Sequence, residues 1–391
     1  MKILTINAGS SSLKASLFEN KKELVKVHID GINRDKCKFT YKATGKNIGQ
    51  HHKVKSHEEA LKFALELLIK NKAIEDLKEI NAAGHRVVHG GEKYTKSVKI
   101  DANVLKTIQK LSNIAPLHNP VNLEAIKAAQ KLLPKNTKHI AIFDTSFHQT
   151  MPEKAYLYGL PLKLYKKEAI RRYGFHGTNH KYVIDSALKT MKKKKAKIVS
   201  CHLGNGASIT AAINGESVDT SMGFTPLEGI IMGTRCGSID PAITFHLQEN
   251  LKMKAKDVDK LLNKESGLLG LSEISSDMRD IYAKYKEKDE NAIRTIEVLS
   301  YQIAKYIGAY AAAMNGLDAI VFTGGLGEKA FYIREKFVDY LEYLGFKIDK
   351  SKNKSSKGEN VDQISKGSKK IFVIKANEAY QMAKETLDIT K

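Results

Sequence analysis

Cysteine, arginine and long apolar stretches are all scarce in this chain of 391 residues. Its three cysteines, Cys37, Cys201 and Cys236, lack the spacing of metal ligands, and their odd number argues against a disulfide framework. No run of eighteen or more uncharged apolar residues occurs, so we expect no membrane-spanning helix. The N-terminus lacks a basic segment that leads into an apolar segment with a cleavage site. We therefore expect a reduced, cytoplasmic protein without a secretion signal.

The formal net charge of +22 raises the question of nucleic-acid binding. Only eight of the 65 basic residues are arginine, and the lysines are spread along the whole chain apart from a short cluster at 192–195. Dispersed lysines without interleaved aromatic residues are typical of a solvated surface, so we expect neither nucleic acid nor membrane as a partner. A guanidinium is a rigid fork that is always charged, so scarce arginines indicate where anions are bound. Five of the eight lie in motifs rich in glycine and histidine: Arg86, Arg171, Arg172, Arg235 and Arg279.

One pattern occurs twice. KILTINAGSSSLK (2–14) and KIVSCHLGNGASI (197–209) align without a gap when shifted by 195 residues. Each consists of an apolar strand, a turn of small residues and a second apolar segment, which predicts two similar domains.

Other apolar strands, such as HIAIFDTSF (139–147) and DAIVFTGGLGE (318–328), alternate with helical segments. The helical segment 56–70 begins with a capping box from Ser56 to Glu59. We predict that its apolar face consists of Leu61, Ala64, Leu65, Leu68 and Ile69. Apolar strands separated by helices predict an α/β architecture with covered sheets.

Three glycine-rich turns follow apolar strands: NAGSSS (7–12), HLGNGAS (202–208) and FTGGLGE (322–328). They are expected at the carboxyl ends of strands, where α/β proteins bind their ligands. Glycine allows the backbone to approach a phosphate, whose oxygens then accept from free N–H groups. No P-loop motif occurs, and no G-x-G-x-x-G opens a helix, which argues against P-loop and Rossmann chemistry. Three turns in two repeated halves therefore favour a nucleotide cleft between domains.

Further motifs supply cations and possible metal ligands: GHRVVHGGE (84–92), FDTSFHQTMP (143–152), RRYGFHGTNH (171–180), MGTRCGSIDP (232–241) and SSDMRD (275–280). Together with NAGSSSLK and HLGNGAS, the segments HRVVHGGE, FHGTNH and GTRCGSIDP resemble the acetate kinase family, and the resemblance covers nearly the whole chain. It implies two ribonuclease H-like domains with a duplicated βββαβαβα core, as in actin, hexokinase and heat-shock chaperones. We expect an N-terminal domain over 1–148, onto which a C-terminal helix of about 380–391 packs back. A C-terminal domain for nucleotide binding and dimerisation is expected over 149–379.

The resemblance also implies roles for individual residues. The positions that match catalytic residues are Arg86, Asp144, His176 and Arg235. Those that match residues associated with Mg²⁺, for which Mn²⁺ can substitute, are Asn7 and Glu378. Arg86 also matches a residue that binds the acid, and the positions that match the methyl pocket of the acid are Val88, Leu117 and Pro226. The positions that match contacts of ATP or ADP are Ser10, Ser12, Lys14, His202, Leu203, Gly204, Asn205, Gly206, Asp277, Met278, Arg279, Gly325, Leu326, Gly327, Glu328 and Lys329.

The implied activity is the reversible phosphorylation of acetate by ATP in a homodimer. The family turn Gly-Ile-Gly-Glu-Asn here has Leu326 and Lys329 instead, which leaves the preferred nucleotide open. A propionate or butyrate kinase is the first alternative, because one methylene changes binding by only ~1–3 kcal/mol. An ATPase resembling actin or a chaperone is a second alternative. For Asp144 two roles are considered, orientation of Arg86 or the metal and, as the competing hypothesis, covalent acceptance of the phosphoryl group.

Overall fold

The computed structural model describes residues 1–34, 37–116, 118–359 and 361–391, so the prediction for Leu117 lies outside the described residues. The chain forms two compact units. The first consists of Met1–Gln149 and Asn377–Lys391, and the second consists of Thr150–Ala376.

The first unit is built on an eight-stranded sheet of order β5-β4-β3-β2-β1-β6-β8-β7. Its strands are β1 Lys2–Gly9, β2 Ser12–Glu19, β3 Lys22–Asp30, β4 Lys38–Ala43, β5 Lys46–His51, β6 Ile80–Val87, β7 Val98–Lys99 and β8 Lys138–Phe143. Strands β1, β6 and β8 run parallel to one another, and the other neighbours pair antiparallel. The carboxyl ends of β1, β6 and β8 therefore meet at one edge of the sheet.

Three helices follow strands of the first unit: α1 His57–Lys70, α2 Ala102–Lys110 and α3 Asn119–Leu132. Helix α1 begins as predicted, since Ser56 accepts a hydrogen bond from the amide of Glu59. The carboxylate of Glu59 accepts from the amide of Lys55 instead of that of Ser56, so the predicted capping box is only half formed. Four of the five predicted core residues are buried, but the prediction for Ile69 was wrong because its side chain is 40% exposed near the end of the helix.

The second unit is built on a six-stranded sheet of order β11-β10-β9-β12-β16-β14 and a separate pair, β13 and β15. Its strands are β9 Lys197–Leu203, β10 Ala207–Ile213, β11 Glu216–Thr220, β12 Ala319–Thr323, β13 Lys347–Ile348, β14 Val361–Gln363, β15 Ser365–Lys366 and β16 Lys370–Ile374. Its helices are α4 Glu153–Tyr156, α5 Leu162–Glu168, α6 Gly177–Met191, α7 Ala242–Glu249, α8 Ala255–Lys260, α9 Gly267–Ser272, α10 Met278–Lys286, α11 Glu290–Ala313, α12 Gly324–Lys329, α13 Phe331–Val338 and α14 Lys350–Ser355. Short 3₁₀ or π turns occupy Leu77–Glu79, Leu111–Asn113, Ser146–Thr150, Leu261–Glu265 and Asp339–Leu344.

The predicted duplication is confirmed by the strand order. The series β3-β2-β1-β6-β8 and the series β11-β10-β9-β12-β16 have the same order and the same orientations. The two aligned sequence segments form the hairpins β1-β2 and β9-β10. The third glycine-rich segment differs from the expected turn, since its residues form the short helix α12 directly after β12.

The C-terminal helix α15, Glu378–Thr390, packs on the sheet of the first unit. Its buried Met382 contacts Ile140 and Ile142, and Leu387 packs with Ile3. The helix packs against β6 at Gly84, where an added Cβ would lie 2.3 Å from Oγ1 of Thr386. A residue with a side chain at this position therefore forces the helix away from the sheet.

We predict that Gly84→Ala lowers the free energy of unfolding by about 1–3 kcal/mol, because the added methyl overpacks this contact. Urea denaturation would measure the change, and Gly49→Ala is a matched control because its Cβ would meet no atom closer than 3.9 Å. The double variant with Thr386→Ala should recover part of the loss. If Gly84→Ala were as stable as the control, the assigned packing of α15 would be wrong.

Candidate active site

Arg86 and Asp144 form a buried ion pair at the carboxyl edge of the parallel strands of the first unit. Arg86 is the penultimate residue of β6, and Asp144 directly follows β8. Nε of Arg86 donates to Oδ2 of Asp144 at 3.0 Å, and Nη2 donates to the same oxygen. Although burial by itself lowers the pKa of Arg86, the Asp144 and Glu378 carboxylates raise it above its ordinary value. The pair therefore holds a fully charged guanidinium in a fixed orientation.

Two further predicted residues join this pair. Nη1 of Arg86 donates to Oδ1 of Asn7 at 3.2 Å, and Nδ2 of Asn7 donates to Oε2 of Glu378 at 3.3 Å. Asn7 lies on β1 and Glu378 is the first residue of α15. The first unit thus brings together four residues that are up to 371 positions apart in sequence.

The loop that follows Arg86 is held by residues that the sequence analysis missed. Asn122 of α3 accepts from the amide of Val88 and donates to the carbonyl of Ala8, both at 3.0 Å. Asn119 accepts from the amide of His89 at 3.1 Å. Both asparagines are buried and lie in the HNPVN segment that opens α3. The sequence shows only that HNPVN contains two asparagines. Their burial, which indicates the scaffold role, is visible only in the folded chain.

The predicted phosphate contacts of the first unit lie in the hairpin β1-β2. Ser10 is exposed in the turn, Ser12 begins β2, and Lys14 is an exposed cross-strand neighbour of Asn7. The ring of His57 bonds to the carbonyl of Gly9 at 2.7 Å and so fixes the turn. The hairpin therefore presents hydroxyl groups and one ammonium group beside the Asn7 position.

A buried histidine pair lies next to Arg86. Nε2 of His85 and Nδ1 of His139 are 3.0 Å apart, and Nδ1 of His85 meets no partner among the described residues. Burial lowers the pKa of His85 well below its ordinary value, and it lowers the pKa of His139 to about 4. Both rings are therefore neutral in the folded chain near neutral pH.

This pair predicts acid sensitivity. The unfolded chain binds protons on these histidines near pH 6.5, whereas the folded chain resists protonation, so their contribution to stability is complete above pH 6.5 and is lost as the pH falls toward 4. We expect the urea midpoint to fall between pH 7 and pH 5, and to fall less in His139→Gln. His51→Gln, at an exposed position of β5, is the control. If the urea midpoint of His139→Gln fell between pH 7 and pH 5 as much as that of the unmodified protein, the assignment would be wrong.

His176 lies at the N-terminus of α6 and is held from two sides. It occupies the left-handed region with φ of 56°, and its Nδ1 is 2.9 Å from Oγ of Ser208. Its ring stacks on that of His202 with centroids 4.3 Å apart. Nδ2 of Asn179 donates to Nδ1 of His202 at 2.8 Å and to Oγ1 of Thr323 at 3.3 Å. The second unit thus links His176, the His202–Gly206 segment and the start of α12.

Arg235 and His176 both lie beside Gly206. A Cβ added at Gly206 would lie 3.5 Å from the His176 ring and 3.6 Å from Nη1 of Arg235. Nη1 of Arg235 donates to the carbonyl of Pro226 at 3.2 Å, and no carboxylate pairs with this guanidinium among the residues the structure describes. Burial lowers the pKa of Arg235. A half-buried cation with only carbonyl and sulfur partners is poised to bind an anion.

The remaining predicted ATP contacts form two segments. Asp277 caps α10 and pairs with Arg279, whose side chain is 88% exposed, and no hydrogen bond that the structure describes joins this pair to His176 or Arg235. Lys329 is exposed at the end of α12. The carboxylate of Glu328 accepts from the amides of Gly324 at 3.0 Å and Ala376 at 2.8 Å. Glu328 therefore joins the start of α12 to the segment that follows β16.

Arg334 was missed by the sequence analysis although arginine is scarce. Its side chain is fully buried, and its Nη1 donates to the carbonyls of Gly327 at 2.7 Å and Glu328 at 2.9 Å. Its Nε donates to Asn353 of α14 at 2.7 Å. Arg334 therefore fixes the last turn of α12. It lies outside the glycine- and histidine-rich motifs that contain five of the other arginines.

The described residues lack two kinds of feature. They contain no group of three or more histidine, cysteine, aspartate or glutamate side chains arranged to hold a metal ion. Among those same residues, no helix is sufficiently long and apolar for a bilayer crossing.

Comparison with known proteins decides the family. The sequence profile of the Acetokinase family matches residues 2–384. The chain belongs to the acetokinase family. It is 48% identical over 400 residues to the acetate kinase of Thermotoga maritima and 50% identical over 397 residues to that of Thermosipho melanesiensis. Each alignment covers 100% of this chain and at least 98% of the relative.

Solved structures of family members confirm the predicted α/β fold. The acetate kinase of Porphyromonas gingivalis superimposes with a TM-score of 0.93 at 39% identity, and the alignment covers 100% of both chains. A propionate kinase from Francisella tularensis superimposes with a TM-score of 0.93 at 41% identity, with 99% of both chains covered. The structural match therefore includes an acetate kinase and a propionate kinase, two of the three acid specificities that the sequence analysis considered.

Proposed function

We propose that this chain is an acetate kinase, which transfers the γ-phosphoryl group of ATP to acetate and forms acetyl phosphate and ADP reversibly. The observation that carries the proposal is the end-to-end similarity to acetate kinases, at 48% identity over 400 residues for the Thermotoga maritima protein. We further propose that it acts in the cytoplasm as a homodimer formed through the second unit. Exposed apolar side chains on and after α7, namely Ile243, Phe245 and Leu251, support such an interface.

The main obstacle to this reaction is charge repulsion. Acetate is already ionised at neutral pH, since carboxyl groups titrate near pH 4, so no strong general base is needed. Two like unit charges ~4 Å apart repel by roughly 4 kcal/mol at an effective dielectric constant of about 20. The phosphate tail carries several charges. The site must therefore supply positive groups to the reacting oxygens.

Arg86 and Arg235 supply these charges in two different ways. Arg86 is held by Asp144 and Asn7, so its fork is oriented before substrate arrives. Arg235 has no carboxylate partner among the described residues, so a bound anion would offset part of the cost of burying its charge. We propose that these two residues hold the acetate carboxylate and the transferred phosphoryl group. Asp144 then acts on Arg86 and takes no proton from the substrate.

His176 is proposed to donate a hydrogen bond to the transferred phosphoryl group. Ser208 bonds to Nδ1 of the ring, so we assign the donor role to Nε2. The stacked ring of His202 limits rotation of the imidazole. A donor that is already oriented costs no reorganisation at the moment of reaction.

The residues near Arg86 fit a magnesium ion. Mg²⁺ prefers oxygen ligands and is usually bound by one or two carboxylates together with water and substrate phosphates. Asn7 offers its amide oxygen and Glu378 its carboxylate, and Nδ2 of Asn7 lies 3.3 Å from Oε2 of Glu378; we propose that these two residues hold the ion. When bound, Mg²⁺ would neutralise part of the charge of the phosphates. The hydroxyl groups of Ser10 and Ser12, Lys14 and the segments at 202–206, 277–279 and 325–329 are proposed to bind ATP.

The proposal is tested by trapping acyl phosphate with hydroxylamine. Acetate, propionate and butyrate are each supplied with ATP and, separately, with GTP, and the coloured hydroxamate is measured. We expect the highest kcat/KM for acetate with ATP. ATP hydrolysis without hydroxamate would contradict the proposal and favour an ATPase of the same superfamily.

A propionate kinase is the second candidate, because the Francisella tularensis propionate kinase superimposes with a TM-score of 0.93. One additional methylene changes kcat/KM by only about 10–200-fold, so both acids should react. A higher kcat/KM for propionate than for acetate would establish this alternative.

A further inference from the structure

Three half-buried residues of the second unit form a polar cluster to which the proposed mechanism assigns no role. They are Tyr158, Arg172 and Glu228, and we call them the Glu228 clamp. Tyr158 donates to Oε2 of Glu228 at 2.5 Å, and Nη2 of Arg172 donates to Oε1 at 2.5 Å. Both carboxylate oxygens are therefore bound by strong donors.

The clamp closes a short loop around Pro226. The hydroxyl of Tyr158 also accepts from the amide of Phe224 at 2.8 Å. One hydroxyl group thus joins the first and last residues of segment 224–228, and Pro226 lies at its centre. The carbonyl of Pro226 in turn accepts from Nη1 of Arg235 at 3.2 Å.

Arg172 ties this loop to the segment that carries His176. Its Nη1 donates to the carbonyls of Thr220 at 2.9 Å and Ser221 at 3.1 Å. Arg172 lies four positions before His176 in the RRYGFHGTNH motif, and its amide donates to the carbonyl of Tyr156. Arg172 therefore fixes Thr220 and Ser221, which precede the loop, as well as Glu228, which ends it.

The packing leaves little tolerance at the clamp. A Cβ added at Gly223 would lie 1.7 Å from Oε2 of Glu228 and 2.2 Å from the Tyr158 hydroxyl. Burial together with the Glu228 carboxylate raises the pKa of Tyr158, so its hydroxyl stays protonated and remains a donor. The side chain of Arg172 is 18% exposed and that of Glu228 is 30% exposed, so water competes only in part for this ion pair.

We propose that Tyr158, Arg172 and Glu228 are positioning residues that set where Pro226 lies and thereby determine the length of the acyl chain that the acid site accepts. The inference rests on the proposed function and on the methyl pocket of the acid, to which the family resemblance assigns Pro226. A loop closed at both ends keeps the ring of Pro226 in one place, which rejects an additional methylene. An opened loop lets the ring retreat, so a longer acid fits.

The test compares acids in the full-length protein. In Tyr158→Phe the ring stays and the hydroxyl is lost. The two hydrogen bonds that this hydroxyl makes, to Glu228 and from the amide of Phe224, therefore disappear. We expect the ratio of kcat/KM for acetate to that for propionate to fall about threefold or more, within the range that one methylene provides. KM for ATP should change less than twofold. Glu228→Gln, which keeps the shape but loses the charge opposite Arg172, should shift the ratio in the same direction.

The ratio separates positioning from mere structural support, because a smaller folded fraction lowers the rates with both acids equally. Tyr343→Phe removes the hydroxyl of a tyrosine that is 74% exposed in the same unit, and it serves as the control with an unchanged ratio. Arg172→Lys keeps the charge but loses the fork, so its ratio should lie between those of the unmodified protein and Tyr158→Phe.

The outcomes distinguish the two proposals. If the unmodified protein forms no acyl phosphate from any acid, the proposed function fails and this inference fails with it. If the unmodified protein is active but the ratio is unchanged in both Tyr158→Phe and Glu228→Gln, the proposed function stands and this inference is overturned. If Tyr158→Phe is insoluble, the ratio measured for Glu228→Gln decides between these outcomes.

Discussion

Arg235→Gln is expected to lower kcat/KM for acetate by about 10²–10³-fold, and Arg235→Lys by at least roughly tenfold. The guanidinium bonds to the carbonyl of Pro226 and lacks a carboxylate partner among the described residues, so its charge is available to substrate. Glutamine removes the charge. Lysine keeps the charge, but its ammonium group is a point charge that cannot make the bidentate contact of a guanidinium.

Steady-state kinetics with the hydroxamate assay measures both variants. Arg294→Gln is the matched control, because Arg294 is an exposed arginine of α11 that bonds to the neighbouring Asn291. The control should retain the kinetics of the unmodified protein. Near-normal kinetics in Arg235→Lys would reject the assigned role, and so would a loss confined to KM for ATP.

Asp144→Asn is expected to reduce both stability and activity. Asparagine has the shape of aspartate but leaves the guanidinium of Arg86 without its carboxylate, and breaking a buried pair in this way costs about 3–5 kcal/mol. Arg86 keeps 16% of its side chain exposed, so we expect a value near the lower end. Urea denaturation would measure it. Activity should fall as well, because Arg86 is no longer held in one orientation.

A surface ion pair of the same unit provides the control for Asp144→Asn. Glu58 of α1 pairs with Lys131 of α3 at 2.6 Å, and both side chains are largely exposed. Glu58→Gln should cost less than about 1 kcal/mol. Equal losses in the two variants would mean that Asp144 has no special role in holding Arg86.

Asp144→Asn also tests whether the phosphoryl group is transferred through a covalent intermediate on Asp144. If Asp144 accepts the phosphoryl group covalently, incubation with ATP labelled at the γ-position will leave label on the protein, and Asp144→Asn will abolish it. We expect no trapped label, because Asp144 accepts two hydrogen bonds from Arg86 and is 1% exposed. Labelled Asp144 would overturn the orienting role.

The sequence by itself determined the elements whose signals are local. The repeated strand and turn predicted the hairpins β1-β2 and β9-β10, because apolar residues that end in small residues form strands that end in turns. Ser56 predicted the start of α1 for the same reason, since a capping side chain acts within three residues. The motifs also sufficed to recognise the family.

Contacts between distant residues were decided only by the tertiary structure. Arg86 and Asp144 are 58 positions apart, and Asn7 and Glu378 are 371 positions apart, so no local pattern indicates their hydrogen bonds. Local signals also failed where packing decides, as at the exposed Ile69 and in α12, which forms in place of the expected turn.

The Glu228 clamp and Arg334 show the same limit. A sequence shows that tyrosine, glutamate and arginine are present, but not that one hydroxyl reaches both Phe224 and Glu228. Whether a buried charge binds a carboxylate, a carbonyl or a substrate depends on which groups the folded chain brings within hydrogen-bond distance. That distance is set by strand order and helix packing, which is why motifs suggest candidate site residues but not the partners that hold them.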